Sequence, residues 1–275
     1  MNPYIIKEPT CISFSGGRTS AYMLYKILEA HDMSLPNDAY VCFANTGKEE
    51  EATLRFINRC SKEWNVDIHW LEYTNDKPNF KIVTFETANR TGKPFEELVS
   101  RRKYLPNPVT RYCTSQLKIR VINQYLRSIG WEDHSENEDW MGIRADEPRR
   151  IAKIKDKSRV PLAVMGVTSA DIHNFWKNNH FDLELPIING KTMHGNCDLC
   201  FLKPLAQIVS LIQEKPEKAI WWAKMEKLGS EISSNPSGAV FRLDRPNYAS
   251  MLQFTKDQQM MFDVNEEAIA CFCGD

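Results

Sequence analysis

Residues 11–20 read "CISFSGGRTS" and run without a break into "AYMLYKILEA" at 21–30. An apolar tetrad, a Ser-Gly-Gly turn and apolar residues three and four apart describe a buried strand that passes at once into an amphipathic helix. Such a junction leaves backbone N–H groups unpaired at the helix start, and glycine lets that backbone approach an anion closely. The helix dipole and the hydroxyls of Ser15, Thr19 and Ser20 add to the attraction. With Gly16, Gly17 and Arg18 between them, these residues form a candidate phosphate cradle. The loop has neither the G-x-x-x-x-G-K-[ST] spacing of the Walker loop nor the G-x-G-x-x-G of dinucleotide folds. An ordinary strand-to-helix turn with a serine cap carries the same letters.

The same alternation continues outward. "AYVCFA" (39–44), "DIHWLEY" (67–73) and "DWMGI" (139–143) are further strand candidates, and 20–30 and 50–64 carry helical periodicity. Strand, helix, strand, helix, strand predicts an α/β fold, a Rossmann-like parallel sheet flanked by helices. Ligands of such sheets bind beyond the carboxyl ends of the strands. "SGGRTS" and "NTGKE" (45–49) each follow a strand directly, so Asn45, Thr46 and Gly47 are expected beside the first loop. From 74 to 138 the pattern weakens into turns, with a helix candidate over 115–128. After "GIRADEPRR" (142–150) a basic stretch runs to Arg159, and the remainder is mainly helical. "TSADIHNFWKNN" (168–179) opens with capping residues, and "PLAQIVSLIQEKP" and "PEKAIWWAKMEKLG" are two helices separated at Pro216. A soft boundary near 160 divides a nucleotide-binding α/β domain (1–160) from a helical, cysteine-bearing region (161–275).

Composition narrows the function classes. The chain has 275 residues, 42% hydrophobic, with 26% charged and a net charge of −1. That is ample for a large core and shows no global bias toward nucleic acid or membrane. No basic n-region with a long apolar stretch opens it, and no run of eighteen apolar residues occurs, so the expectation is a soluble cytoplasmic protein without a membrane partner. Eight cysteines are too few for a disulfide scaffold of this length, and four fall in "CDLC" and "CFC", a pattern for metal or redox chemistry. Cys11, Cys42 and Cys60 lie within apolar patterns and read as small core residues.

Four segments, in order, resemble one family. "FSGGRTS" is similar to the pyrophosphate loop of the adenine-nucleotide alpha-hydrolase superfamily, the PP-loop ATP pyrophosphatases. "ANTGKEEEATLRFI" (44–57), "GIRADEPRR" and "PLAVMGVTSADIHNFW" (161–176) resemble segments of its phosphoadenylyl-sulfate reductase branch. The resemblance implies an adenine nucleotide such as ATP on the sheet edge, with residues 15–20 on its phosphates and Asn45, Thr46 and Gly47 beside it. Arg144 and Arg149 would offer planar guanidinium charge to phosphate or sulfate; a solvated charged face is the alternative. Superfamily members often carry Asp where Thr19 and Asn45 stand, so two carboxylates suited to magnesium are missing, with Glu49 and Glu50 the nearest substitutes.

"HGNCDLCFLK" (194–203) resembles the C-x2-C segment of iron–sulfur adenylyl-sulfate reductases, and "TRYCTSQLKIR" (110–120) stands where those enzymes have an Arg-Cys-Cys pair. The resemblance implies Cys113, Cys197 and Cys200 as ligands of a [4Fe–4S] cluster, with Cys271 or Cys273 as the fourth. A zinc on Cys197, Cys200, Cys271 and Cys273 is the alternative, and free thiols for sulfur relay are a third. Cys113, Lys118 and Arg144 are the catalytic candidates. The expected activity is an AMP-forming ATP pyrophosphatase that adenylates an acceptor for sulfur transfer, similar to enzymes of DNA phosphorothioation and tRNA thiolation. Its partners would be a nucleic-acid acceptor and a sulfur donor such as a cysteine desulfurase or thiol reductant. "RIAKIKDKSR" (150–159) has the lysines to track a nucleic-acid backbone. The alternatives are an adenylyl-sulfate or phosphoadenylyl-sulfate reductase, in which a tail cysteine attacks sulfur, and a non-catalytic nucleotide-binding subunit.

Overall fold

The computed structural model describes residues 2–131, 139–188 and 191–257. The elements begin with β1 (Thr10–Ser13), α1 (Arg18–Ala30), β2 (Ala39–Asn45), α2 (Glu51–Glu63), β3 (Ile68–Tyr73), β4 (Phe80–Val83) and α3 (Lys93–Arg102). A longer helical stretch follows as α4 (Tyr112–Thr114), a π-helical turn (Ser115–Ile119) and α5 (Arg120–Ser128). After β5 (Trp140–Met141) come α6 (Pro148–Ile151), a 3-10 turn (Lys157–Arg159), α7 (Pro161–Val164) and α8 (Ser169–Asn178). A hairpin of β6 (Ile187–Ile188) and β7 (Lys191–Thr192) leads to α9 (Leu205–Glu214), α10 (Glu217–Ile232), α11 (Pro236–Ala239) and α12 (Tyr248–Asp257).

The main sheet has the order β4-β3-β2-β1-β5. The pairs β1–β2, β2–β3 and β1–β5 are parallel, and β4 runs antiparallel at the edge. β1 is thus the strand at which the order reverses, with β2 on one side and β5 on the other. Alternation along the strands sorts the side chains. Ile12, Phe14, Val41 and Phe43 join one core with Leu24, Ile27, Leu54, Ile57 and Trp176. Cys11, Cys42, Ala44 and Leu71 join the other with Leu117, Val121, Phe95, Trp222 and Tyr248. A period of two places successive residues on opposite faces, and both faces are covered by helices, as a mainly parallel sheet requires. Each core draws residues from both sides of position 160.

The expected strands and helices form within a few residues of their sequence limits. β4 is an addition: its sequence "FKIV" buries its two ends and exposes Lys81 and Ile82 between them, so neither regular alternation nor a continuous buried run marks it. At α8 the capping residues act as read, since the Thr168 and Asp171 side chains exchange bonds with each other's backbone N–H. The helix over 115–128 forms with its first five residues in the wider π geometry.

Candidate functional site

The Ser-Gly-Gly turn owes its shape to close packing. Gly16 has φ +78°, and a Cβ there would stand 2.7 Å from Ile57 Cδ1 and 2.8 Å from Thr53 Cγ2 on α2. Gly17 then starts α1 without a side-chain cap, which leaves the first-turn N–H groups of that helix without a capping side chain. The Ser20 hydroxyl donates to the Gly17 carbonyl at 3.0 Å and lies 3.0 Å from the Ser15 hydroxyl. Gly142, just beyond β5, completes the junction; a Cβ on it would be 3.0 Å from Ser20 Cα.

Ser15 and Ser20 open onto a cavity of about 310 Å³ at the carboxyl ends of β1 and β5. Phe14, Phe43, Ala44, Ile119, Ile122 and Met141 give it an apolar side, and Lys118, Arg150, Lys153 and Lys155 a cationic one, with Asp139 as its acid. The position is the switch point of the sheet order, where open α/β sheets hold their ligands. Lys153 and Lys155 are exposed at this wall, as is the neighbouring Arg149, whereas Arg159 is buried and paired with Glu8 at 2.7 Å.

Several sequence candidates sit beside this cavity and act on its frame. The Arg18 guanidinium donates to both oxygens of Asp182, at 2.6 and 2.5 Å, and to the Leu185 carbonyl at 2.9 Å. It ties α1 to the segment before β6. Arg144 donates from Nη1 to the Thr19 hydroxyl at 3.1 Å and from Nε to Asp146 at 2.9 Å, so it steadies the first turn of α1. Arg149 is exposed on α6, and the arginine in the cavity wall is its neighbour Arg150, which is bound to Glu147 at 2.6 Å.

The second loop is anchored in the same manner. Asn45 is fully buried; its amide donates to Glu72 at 2.6 Å and to the Asn89 carbonyl at 2.8 Å, and its carbonyl accepts from Gly47 N–H at 3.1 Å. Gly47 has φ +78°, and a Cβ there would meet Asn89 Oδ1 at 2.4 Å. The Thr46 hydroxyl donates to Glu49 at 2.9 Å and lies 3.5 Å from Cys197 Sγ. Glu49 pairs with Lys118 at 3.9 Å, and Glu50 with Lys218 and His194. Neither glutamate belongs to the cavity wall, so the acid in the cavity is Asp139, which sequence reasoning had placed in a strand. Its signal was faint, a lone acid before an apolar "WM".

Cys113, Cys197 and Cys200 line one small chamber of about 20 Å³, together with Thr46, Thr114, Lys118 and Trp222. Thr114 and Lys118 also line the large cavity, so the two spaces share a wall built on α4 and the π-helical turn. A π turn widens the helix locally and is frequent at functional sites. Burial, Glu49 and Cys200 push the Cys197 thiol well up, against Lys118 and Thr46, which pull it down. Lys48 and Asp198 fix the knuckle to the second loop through a buried pair at 2.9 Å, and Trp222 Nε1 donates to Asp198 at 2.8 Å.

Three of the cysteines expected to hold a cluster therefore share one chamber. Among the described residues no group of three or more His, Cys, Asp or Glu side chains is placed to hold a metal ion. The tail cysteines Cys271 and Cys273 lie outside the described residues, and with them half of the zinc set. Among the described residues no helix is long and apolar enough to cross a membrane.

The architecture and cavity define the class: a mixed α/β protein with a central sheet flanked by helices, a largely helical C-terminal region and a cationic cavity at the sheet's switch point. No protein-family model matches the chain, and no solved structure matches it. It is 32% identical over 209 residues, 72% of this chain and 67% of the relative, to the uncharacterized nin region protein ORF290 of Escherichia phage lambda. At that identity and coverage, the chain belongs to the family of this phage protein.

Proposed function

We propose that the protein is an adenine-nucleotide enzyme with a Rossmann-like PP-loop site, one that forms AMP and pyrophosphate from ATP to activate an acceptor for sulfur transfer. The observation that carries this reading is the cavity at the β1–β5 switch point, which is lined by Ser15 and Ser20 at the uncapped start of α1 and by four cationic side chains. Helix N–H groups and cations together suit a polyphosphate, and the apolar wall suits a base. Lys118, Arg150, Lys153 and Lys155 would neutralise the charge that develops as pyrophosphate leaves, while Arg144 and Arg18 hold the loop that seats the phosphates.

The acceptor oxygen attacks the α-phosphorus and expels pyrophosphate. The terminal sulfur of a cysteine persulfide, charged by a sulfur donor, then displaces AMP and leaves the acceptor joined to the cysteine by an S–S bond. A thiol reductant cleaves that bond by thiol–disulfide exchange, is itself oxidised to a disulfide, and releases the thiolated acceptor and the free cysteine. Cys113 is the cysteine placed for the relay: it is partly exposed and lines the chamber whose wall, Thr114 and Lys118, is also a wall of the nucleotide cavity. No step is assigned to an iron–sulfur cluster, because the fourth cysteine of its expected set lies outside the described residues. Magnesium would enter with the triphosphate, since that ion keeps several waters and leans on substrate phosphates. Arg149, Lys153 and Lys155 support a nucleic-acid acceptor, because all three are exposed at or beside the cavity wall.

The test is calorimetric titration with magnesium-ATP followed by AMP and pyrophosphate assays. Micromolar binding is expected, weakened about tenfold or more by Lys153→Ala combined with Lys155→Ala. AMP and pyrophosphate should appear in equal amounts once acceptor and persulfide donor are supplied. Absence of ATP binding by the wild type overturns the reading.

A further inference from the structure

Residues 101–120 read "RRKYLPNPVTRYCTSQLKIR" and hold six Lys and Arg without one Asp or Glu. The chain as a whole is balanced at −1, so its acids stand elsewhere and this stretch is a local cationic field. It opens in the last turn of α3, where Arg101 donates to the Tyr73 hydroxyl at 3.1 Å and Lys103 closes the helix at φ +63°. The dipole of α3 favours cations at that end, but its effect fades within a turn and does not reach the rest of the stretch.

Position gives the field its meaning. The Arg102 guanidinium stands 5.6 Å over the ring of Tyr112, the residue before Cys113, and Tyr104 meets the same ring at 5.0 Å. Thr114, the residue after Cys113, lines the large cavity together with Lys153 and Lys155. Exposed cations therefore stand beside both chain neighbours of Cys113: Arg102 and Lys103 with Tyr112, and Lys153 and Lys155 in the wall that Thr114 shares. Arg102 and Lys103 do not line the cavity, so a triphosphate seated there leaves them to something larger. Two cationic sites around one reactive position suit a polymer with a charge at every repeat, and arginine also offers a plane on which bases stack.

We propose that the end of α3, through Arg102 and Lys103, is a second contact for a nucleic-acid acceptor, whose strand passes Cys113 with its phosphates held there and at Lys153 and Lys155. The proposal rests on the reading of a nucleic-acid acceptor above and gives that acceptor an anchor outside the nucleotide cavity.

The experiment is fluorescence anisotropy of the full chain with labelled oligonucleotides (single-stranded DNA, single-stranded RNA and duplex DNA) over a range of salt, beside calorimetric titration with magnesium-ATP. Arg102→Gln combined with Lys103→Gln should weaken the tightest-bound oligonucleotide by about tenfold or more at ~0.1 M salt, and lower the slope of log affinity against log salt by about two. Lys103→Gln alone changes an exposed side chain and should lower that slope by about one, which keeps the test decisive if the double variant fails to fold. Affinity for magnesium-ATP should be unchanged in both. Wild-type affinity and slope in both variants overturn the second contact and leave these cations to another partner, such as an acidic protein surface. A wild type that binds magnesium-ATP but no oligonucleotide overturns it too, while the nucleotide site stands. Oligonucleotide binding with the expected slopes but without ATP binding supports the contact and overturns the nucleotide site.

Discussion

Gly16 shows how one residue sets the entry to the site. Its φ of +78° and the 2.7 Å that a Cβ would leave to Ile57 make every side chain there both strained and overpacked. Gly16→Ala is expected to lose about 1–3 kcal/mol of stability in urea unfolding and to weaken nucleotide binding by moving the loop. Glu226 is a second informative residue. It is 7% exposed and accepts from Tyr248 N–H at 2.7 Å, yet burial raises its carboxyl from 4.5 to about 7. Between those values the folded chain holds a proton that the unfolded chain has released. Stability should therefore fall as pH rises through 4.5 to 7, by on the order of 3 kcal/mol. Unfolding free energies across that range check this, and Glu226→Gln should flatten the slope.

At the scale of elements, the start of α1 is held by two arginines from opposite directions. Arg18 reaches Asp182 and Leu185, and Arg144 reaches Thr19 from the segment after β5. Removing Arg18 leaves Asp182 unpaired beside a buried backbone carbonyl. Arg18→Ala is expected to cost about 2–3 kcal/mol, less than a fully buried pair because Asp182 keeps solvent contact. Chemical denaturation of the variant reads the cost directly. The capping box of α8 is a simpler case: Thr168→Ala should lose about 1 kcal/mol. Its letters, "TSAD", were legible because capping is local. The partners of the Arg18 guanidinium lie 164 or more residues away in sequence, and no local pattern marks such a bond.

For the whole molecule, both cores draw residues from either side of position 160. Trp222 and Tyr248, both essentially buried, pack with Phe95, Leu117 and Leu71 across the sheet face. The cysteine-bearing region and the α/β part should then unfold together. Far-ultraviolet circular dichroism and tryptophan fluorescence are expected to give coincident transitions. Trp222→Ala should lower the common midpoint by about 3–5 kcal/mol of stability; two separated transitions would contradict a shared core.

Sequence by itself determined the alternation of strands and helices, the Ser-Gly-Gly junction, the capping at α8 and the division of α9 from α10 at Pro216. Each depends on periodicity or on backbone chemistry within a few residues. Tertiary structure decided the strand order, the antiparallel β4, and which charged side chains meet the cavity: Arg150 in place of Arg149, Lys118 on a π turn, and Asp139. It also turned Arg18 and Arg144 into ties for the loop and gave Cys113, Cys197 and Cys200 a common chamber. These outcomes depend on which distant segments share a face once the sheet is covered on both sides, and a side chain's local letters carry no record of its long-range partner.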